Sequence, residues 1–314
     1  MLTVMTWLWR QPLGRTDYTA DHVNVWAAMV RRHLTIPHRL ACVTDMSGGI
    51  EAGVEIIPPP RDFEAETIPT WGPDRPQCLR RLALFRPDAA RLFGERFVSM
   101  DMDCVVAGSL DPLFDRPEDI VLYASPPSTA IEPRPYNGSM VLMNAGARPQ
   151  VFERFTSEGA IEAGARYAGS DQAWISHVLG AGEATWSEDD GVYWWGRWSE
   201  AAPARLMFFP GQPKPWDLLH RHSWVAANYR QDLGGRCLLL GYAPGLWADV
   251  EAALDAGAVD AVIASPEAAA HWPGEVLAIA SDDAEAARLA AGYGFDEVVW
   301  CGRTGEASLC DCLD

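Results

Sequence analysis

No apolar run in the 314 residues approaches the roughly 20 needed to cross a bilayer as a helix, and the opening MLTVMTWLWRQ lacks the basic start of a secretory signal. No membrane span is expected, and MLTVMTWLW reads better as a first strand. Basic residues are scarce as well: 25 Lys and Arg face 43 Asp and Glu, a formal charge of −18. A surface that coats nucleic acid needs a local excess of Lys and Arg, so nucleic acid is disfavoured as a partner, although a local basic channel stays compatible with the balance. Cysteine supplies no framework. The seven, at 42, 78, 104, 237, 301, 310 and 312, are scattered, and only Cys310-Asp311-Cys312 clusters, with no second pair at zinc-site spacing. Reduced thiols in a cytoplasmic protein are the expectation. No Ser-His-Asp arrangement stands out.

What the chain does have is ordinary soluble composition, 48% hydrophobic and 22% charged, with 14 tryptophans. Most indoles are accounted for by core packing, but sugar-binding clefts also use them as flat apolar platforms. Strand-like and helix-like stretches alternate from the start. LTVMTWLW reads as a strand, and TADHVNVWAAMVRRHL has helical spacing, with Val23, Trp26, Ala27 and Val30 on one stripe and Thr19 or Asp21 as cap. HRLACVTD and VEIIPPP are strands, the second stopped by its prolines. Residues 61–76 read as a long loop and CLRRLALF as helix. ERFVSMDMD and YNGSMVLMNAG are buried strands, and GSDQAWISHVL is a helix capped by Ser170 or Asp171. The pattern predicts an α/β fold, a mainly parallel sheet flanked by helices, over residues 1–234. After about Gly234 the composition shifts to Ala-rich helices between CLLLGY, AVDAVIAS, EVLAIAS and DEVVWCG, which predicts a small Rossmann-like α/β domain over 235–314 of unassigned role. Its GYAPG turn is placed like a phosphate loop but lacks the GxGxxG spacing.

Within FVSMDMDCVVAGSLDPLF, Asp101 and Asp103 end an apolar run. Buried charge is costly unless paired or bound to metal. With 43 acidic residues a stray D-x-D is expected somewhere, so the spacing alone says little. Its context says more. Ligands of open α/β sheets sit outside the carboxyl ends of strands, and alternation puts both carboxylates on one side of an extended chain. Two hard oxygen ligands suit magnesium or manganese, which in turn holds a diphosphate. The plain alternative is a solvated strand end. Two chemistries fit the pair: glycosyl transfer, with metal neutralising a departing nucleoside diphosphate, and a haloacid-dehalogenase-like phosphohydrolase with Asp101 as nucleophile. The latter places its D-x-D in the first strand, whereas here three strand-like segments come before.

The segments TWLWRQPLGRTDYTADHVN, MVRRHLTIPHRLACVTD, RRLALF, VSMDMDCVVAGSLDPLF, YNGSMVLMNAG, GSDQAWIS and PGQPKPW, in this order, resemble the family 8-type retaining glycosyltransferases of GT-A fold, in particular short bacterial and phage-associated members. The resemblance runs from about Thr3 to Tyr229. It implies that the first-strand loop around Thr6, Trp7 and Trp9 passes near the nucleotide and that Thr44 and Asp45 contact base or ribose. Arg81, where relatives often carry Lys, would sit beside the donor phosphates. Asp101 would face ribose or metal, and Asp103 would coordinate the Mn2+ or Mg2+. Asn137, Gly138 and Ser139 would line the sugar pocket, Asp171 and Gln172 would hydrogen-bond the donor sugar, and Lys214 would meet the diphosphate. One departure matters. Metal-dependent relatives carry a His six residues before that Lys, and this chain has Phe208; His220 and His222 are the nearest substitutes.

The expected function is transfer of a hexose from a nucleotide diphosphate sugar, a UDP-sugar by the resemblance, with retention. An inactive nucleotide-sugar-binding or assembly protein is the alternative outside the enzymes. The acceptor, a carbohydrate or another group, is not fixed by the sequence; YWWGRW (residues 193–198) is a candidate platform for it, with core packing of alternate indoles the competing reading. A homo-oligomer paired through the C-terminal strands is a further expectation.

Overall fold

The computed structural model describes residues 1–11, 14–72, 75–126, 132–198, 203–219, 221–231, 236–242, 244–255, 259–274, 276–295 and 297–301. The chain divides into two compact units, Met1–Gln212 and Pro213–Asp314. The division expected at 234/235 lies inside the second of these.

The first unit runs β1 (Leu2–Leu8), α1 (Ala20–His33), β2 (His38–Thr44), β3 (Val54–Ile57), a 3-10 helix (Leu79–Phe85), α2 (Ala90–Phe93), β4 (Arg96–Met100), β5 (Cys104–Val106), α3 (Asp111–Phe114) and β6 (Ile120–Ala124). It continues with β7 (Tyr136–Asn144), α4 (Gln150–Glu153), α5 (Ser157–Tyr167), α6 (Asp171–Leu179), β8 (Ala184–Trp186), β9 (Val192–Trp194) and β10 (Leu206–Phe208). A sheet of seven strands has the order β3-β2-β1-β4-β7-β6-β8. Its pairs are parallel except those of β7, which runs antiparallel to both β4 and β6. The mainly parallel α/β architecture expected from the alternation is therefore present. All of β1 is buried, as a strand flanked by neighbours on both edges and covered on both faces must be. Met5 and Trp7 join Phe85, Phe93, Phe97 and Trp174 in the core on one face of this sheet. The stripe Val23, Trp26, Ala27 and Val30 of α1 is buried as its spacing predicts, and Thr19 is the N-cap residue.

A smaller sheet has the order β5-β10-β9, with β10 antiparallel to β5 and parallel to β9. Because β5 starts directly after Asp103, this sheet grows out of the carboxylate pair.

CLRRLALF departs from the expected helix: Leu79–Phe85 is a 3-10 helix with all seven residues buried. Its apolar residues explain the choice. Leu79, Leu82 and Phe85 are three apart, and the three-residue period of a 3-10 helix stacks them into one ridge facing the core. The 61–76 loop contains a short 3-10 turn at Pro69–Trp71.

The second unit contains α7 (Ser223–Asn228), β11 (Arg236–Leu240), α8 (Trp247–Asp255), β12 (Ala261–Ala264), α9 (Pro266–His271), β13 (Ala278–Ile279), α10 (Asp283–Tyr293) and β14 (Glu297–Cys301). Its four strands are all parallel in the order β13-β12-β11-β14. Leu238 and Leu240 pack with Val250 of α8 and Ala268 of α9, while Cys237 and Leu239 pack with Ala286 and Ala290 of α10. Alternate residues of β11 thus serve opposite faces, the doubly wound arrangement. Among the described residues, no helix is long and apolar enough to cross a membrane. Cys310-Asp311-Cys312 lies outside the described residues.

Candidate active site

The parallel strands β1 and β4 point their carboxyl ends at one edge of the large sheet, and the sequence-predicted carboxylates stand there. Asp101 follows β4 directly, and its backbone N–H donates to the Ser139 carbonyl at 2.8 Å, extending the β4–β7 register by one residue. The buried 3-10 helix brings Arg81 to the same place. Arg81 Nε donates to Asp171 Oδ2 at 2.8 Å and Nη1 donates to Asp101 Oδ1. Asp171 is 3% exposed and opens α6. One guanidinium therefore ties the end of β4 to the start of a helix.

Gly138 on β7 lies against this pair. A Cβ there would meet Asp171 Oδ2 at 3.0 Å and Arg81 Nη2 at 3.2 Å, so the close approach itself calls for glycine. Its N–H points at Gln172 Oε1 at 3.4 Å, and Asn137 Oδ1 accepts from the Ser139 N–H at 2.8 Å. Arg81, Asp101, Asn137, Gly138, Ser139, Asp171 and Gln172 are thus brought together. Asp103 is joined to them through the chain and is the acceptor, at Oδ2, of the Tyr18 hydroxyl at 2.9 Å.

The charges are strongly interdependent. Burial pushes the Asp101 carboxyl up to about 6, with the Asp103 carboxylate adding to the rise and Arg81 and the Ser139 hydroxyl opposing it. Burial disfavours the Arg81 charge, but Asp171 and Asp101 outweigh it and hold its pKa well above the ordinary guanidinium value. Burial raises the Tyr18 phenol, and Asp103 raises it further. Two carboxylates hold one guanidinium and the Asp103 carboxylate acts on Asp101 as well, so among these four side chains negative charge is in excess.

That excess and the hard oxygen donors suit a divalent cation. Asp101 and Asp103 would hold it, with water and diphosphate oxygens supplying the remaining positions, the arrangement magnesium commonly adopts. Among the described residues, no group of three or more His, Cys, Asp or Glu side chains could hold a metal. Phe208 does not substitute. It is 1% exposed, paired in register with Cys104, and its ring lies 5.4 Å from that of Tyr123. His220 lies outside the described residues.

Other expected positions stand elsewhere along the same sheet edge. Trp7 is a core residue whose indole N–H donates to Ser99 Oγ at 2.9 Å, and Trp9 packs edge-on against it at 5.8 Å with the Arg80 guanidinium 6.0 Å from its ring. Thr6 is fully buried and its hydroxyl has no partner among the described residues. Thr44 ends β2, with its Oγ1 accepting from the Met46 N–H at 2.8 Å, and Asp45 is exposed. No hydrogen bond or ion pair among the described residues joins these five to Arg81. Lys214 belongs to the second unit, where it is 3% exposed and its N–H donates to Asp217 Oδ2 at 2.8 Å. Ser170 precedes α6 but its hydroxyl does not cap the helix; it accepts from the Cys78 N–H at 3.0 Å and thereby ties the helix to the 3-10 segment.

Sequence reasoning missed two residues. Tyr18 sits in the turn before α1, and only folding brings it 85 positions along the chain to Asp103. Arg134 is buried, its Nε donating to the Tyr136 carbonyl at 3.0 Å and its Nη1 to the carbonyls of Tyr167, at 3.1 Å, and Ala168. Burial lowers its pKa to about 10, against the pull of Asp171. It clasps the turn that launches α6, where Ala168 has φ +52°. A lone Arg in a proline-rich stretch carried no signal for this. Cys42, Cys78, Cys104 and Cys237 are free and buried, and burial pushes the Cys78 thiol up to about 12.

No protein-family model matches the chain, and no curated protein does. Among solved structures, the galactosyltransferase LgtC, in complex with donor and acceptor sugar analogs, aligns with 73% of this chain and 96% of its own, at 14% identity and a TM-score of 0.45. The glycosyltransferase GlyE of Streptococcus pneumoniae TIGR4 aligns with 95% of this chain and 80% of its own, at 10% identity and a TM-score of 0.43.

Proposed function

We propose that the chain is a glycosyltransferase that moves a hexose from a nucleoside diphosphate sugar, a uridine one, to a carbohydrate or other acceptor with retention. The observation that carries the reading is Arg81, buried between Asp101 and Asp171 at the carboxyl edge of the parallel strands, with Asp103 two residues after Asp101. Asp101 and Asp103 would hold a Mn2+ or Mg2+ ion, which when bound neutralises charge on the departing diphosphate.

The chain's own residues supply the rest. Arg81 fixes the carboxylates in place before substrate arrives, so little reorganisation is needed at the moment of reaction. Asp171 and Gln172 offer oxygens and an amide to sugar hydroxyls, and Asn137, Gly138 and Ser139 form the floor of the pocket. Thr44 and Asp45 stand at the end of β2 for base and ribose. The bond from the anomeric carbon to the diphosphate oxygen breaks, the bond to the acceptor oxygen forms on the same face, and the acceptor proton leaves with the diphosphate. Such a reaction requires positioning and electrostatics rather than a side-chain nucleophile. A phosphohydrolase of the haloacid-dehalogenase kind would carry its nucleophile at the end of the first strand, whereas Asp101 follows β4.

The test is thermal stabilisation by UDP and UDP-sugars with and without manganese, alongside UDP release, on the wild type and Asp103→Ala. Binding to the folded state raises the melting temperature by RT ln(1 + [L]/Kd) in free energy. A manganese-dependent rise that is lost in the variant is the expected result. Absence of any rise with every nucleotide sugar would overturn the donor site.

A further inference from the structure

Arg134 is a buried cation directed at backbone. It is 7% exposed, and its donors go to carbonyls: Nε to that of Tyr136 at 3.0 Å, and Nη1 to those of Tyr167, at 3.1 Å, and Ala168. Tyr136 opens β7, whose next three residues are Asn137, Gly138 and Ser139. Tyr167 ends α5 and Ala168 is its C-cap, three residues before Asp171 opens α6. The last carbonyls of a helix lack partners within it, and a cation there also faces the negative end of the helix dipole. Arg134 thereby joins the first residue of the pocket strand to the turn between two helices.

Gln172 lies against this clasp. A Cβ at the buried Gly169 would meet Gln172 Cγ at 2.8 Å, Gln172 Nε2 at 2.9 Å and Arg134 Nη1 at 3.3 Å. The glutamine side chain therefore folds back over the Gly169 backbone, beside the guanidinium, and a side chain at 169 would push it aside. Folded back in this way, its Oε1 stands 3.4 Å from the Gly138 nitrogen. Ala168, just before Gly169, has φ +52°, a conformation an L side chain adopts only at a cost, and its carbonyl is one that Arg134 holds. Arg134 thus grips the chain on both sides of the Gln172–Gly138 contact.

We infer that Arg134 is a positioning residue for Gln172: by holding the 167–169 turn and the start of β7 in one relation, it sets where the Gln172 amide stands against the donor sugar. The inference rests on the transferase reading for the sugar, but the placement of the side chain can be read without it.

The experiment compares the wild type with Arg134→Met, Arg134→Lys, Gln172→Met and Arg96→Met, each as the full chain. Arg96→Met is the control, because Arg96 makes a similar clasp on the carbonyls of Arg116 and Glu118 at the amino end of β4. Melting temperatures confirm that each variant is folded. Without any substrate, the side-chain amide resonances of Gln172, assigned by their absence from Gln172→Met, are followed by 15N-edited NMR. They should move in Arg134→Met and, by less, in Arg134→Lys, whose ammonium cannot span three carbonyls. They should stay in place in Arg96→Met. Resonances unmoved in whichever Arg134 variant folds, or moved equally in Arg96→Met, overturn the inference. Turnover is read separately as UDP release from UDP-glucose and UDP-galactose. Loss of Arg134 should lower kcat about a hundredfold, as misplacement of a positioned group does. It should add nothing further in the Gln172→Met background, where its effect on the melting temperature persists. A kcat loss that adds in full to that of Gln172→Met also overturns the inference. Absence of UDP release from the wild type counts against the transferase reading and leaves the NMR result standing.

Discussion

Arg81 Nε reaches Asp171 Oδ2 at 2.8 Å while Nη1 of the same guanidinium engages Asp101, so one side chain from a buried 3-10 helix fixes the relation of β4 to α6. The pairing joins residues 20 and 90 positions apart.

Arg81→Met removes the positive member of this cluster and leaves two carboxylates facing each other with little water. Loss of one partner of a buried pair costs about 3–5 kcal/mol, and urea unfolding should register a loss of that order. Arg81→Lys should recover part of it, because an ammonium cannot reach both carboxylates with the fork of a guanidinium.

Gly138→Ala tests the close approach on β7. The new Cβ would stand 3.0 Å from Asp171 Oδ2 and 3.2 Å from Arg81 Nη2, so the pair must separate. Overpacking of this kind costs about 1–3 kcal/mol. UDP-sugar affinity, measured by calorimetry, should fall, while Gly211→Ala, where a Cβ meets nothing within 4 Å, should not change stability.

Asp101 should make metal-free stability fall as pH rises. Its folded carboxyl titrates at about 6, above the roughly 3.9 of an unfolded Asp. Between those values the folded state binds more protons than the unfolded one, so stability declines with pH through that window and levels off above it. The decline should reach at most about 3 kcal/mol and be missing in Asp101→Asn. Manganese should flatten the wild-type curve, because it holds the ionised form. Identical pH slopes in wild type and Asp101→Asn would show that Asp101 titrates like a surface carboxylate.

Ala168→Gly should stabilise the protein. Ala168 has φ +52°, a region that glycine occupies without penalty, and relief of that strain is worth about 1 kcal/mol. Arg134→Met should act in the opposite direction, since the carbonyls of Tyr167 and Ala168 would lose the guanidinium donor and that of Tyr136 one of its two donors, at a cost of about 2 kcal/mol or more. A melting-temperature comparison separates the two.

Much of this was legible in the chain. The apolar periodicity of β1 and α1 reports a local requirement: a strand between two others must be apolar throughout, and a surface helix must keep one stripe inside. Asp101 and Asp103 were legible because two carboxylates at the end of a buried run contradict the surrounding pattern. Leu79, Leu82 and Phe85 misled the helix reading, because spacings of three satisfy both an α-helix and a 3-10 helix over so short a segment. Trp7 and Trp9 lie close in sequence yet meet different surroundings, core and sheet edge, which depend on partners far away in the chain.

The sequence by itself determined the layered α/β class and put two carboxylates at the end of β4, since these follow from local pattern and residue type. Only the tertiary structure decided that Arg81 is shared by Asp101 and Asp171, that Tyr18 reaches Asp103, that Phe208 turns into a core and that Arg134 clasps the turn before α6. Each of these joins segments of distant sequence position, and such pairings are set by sheet register and packing, which no local pattern encodes.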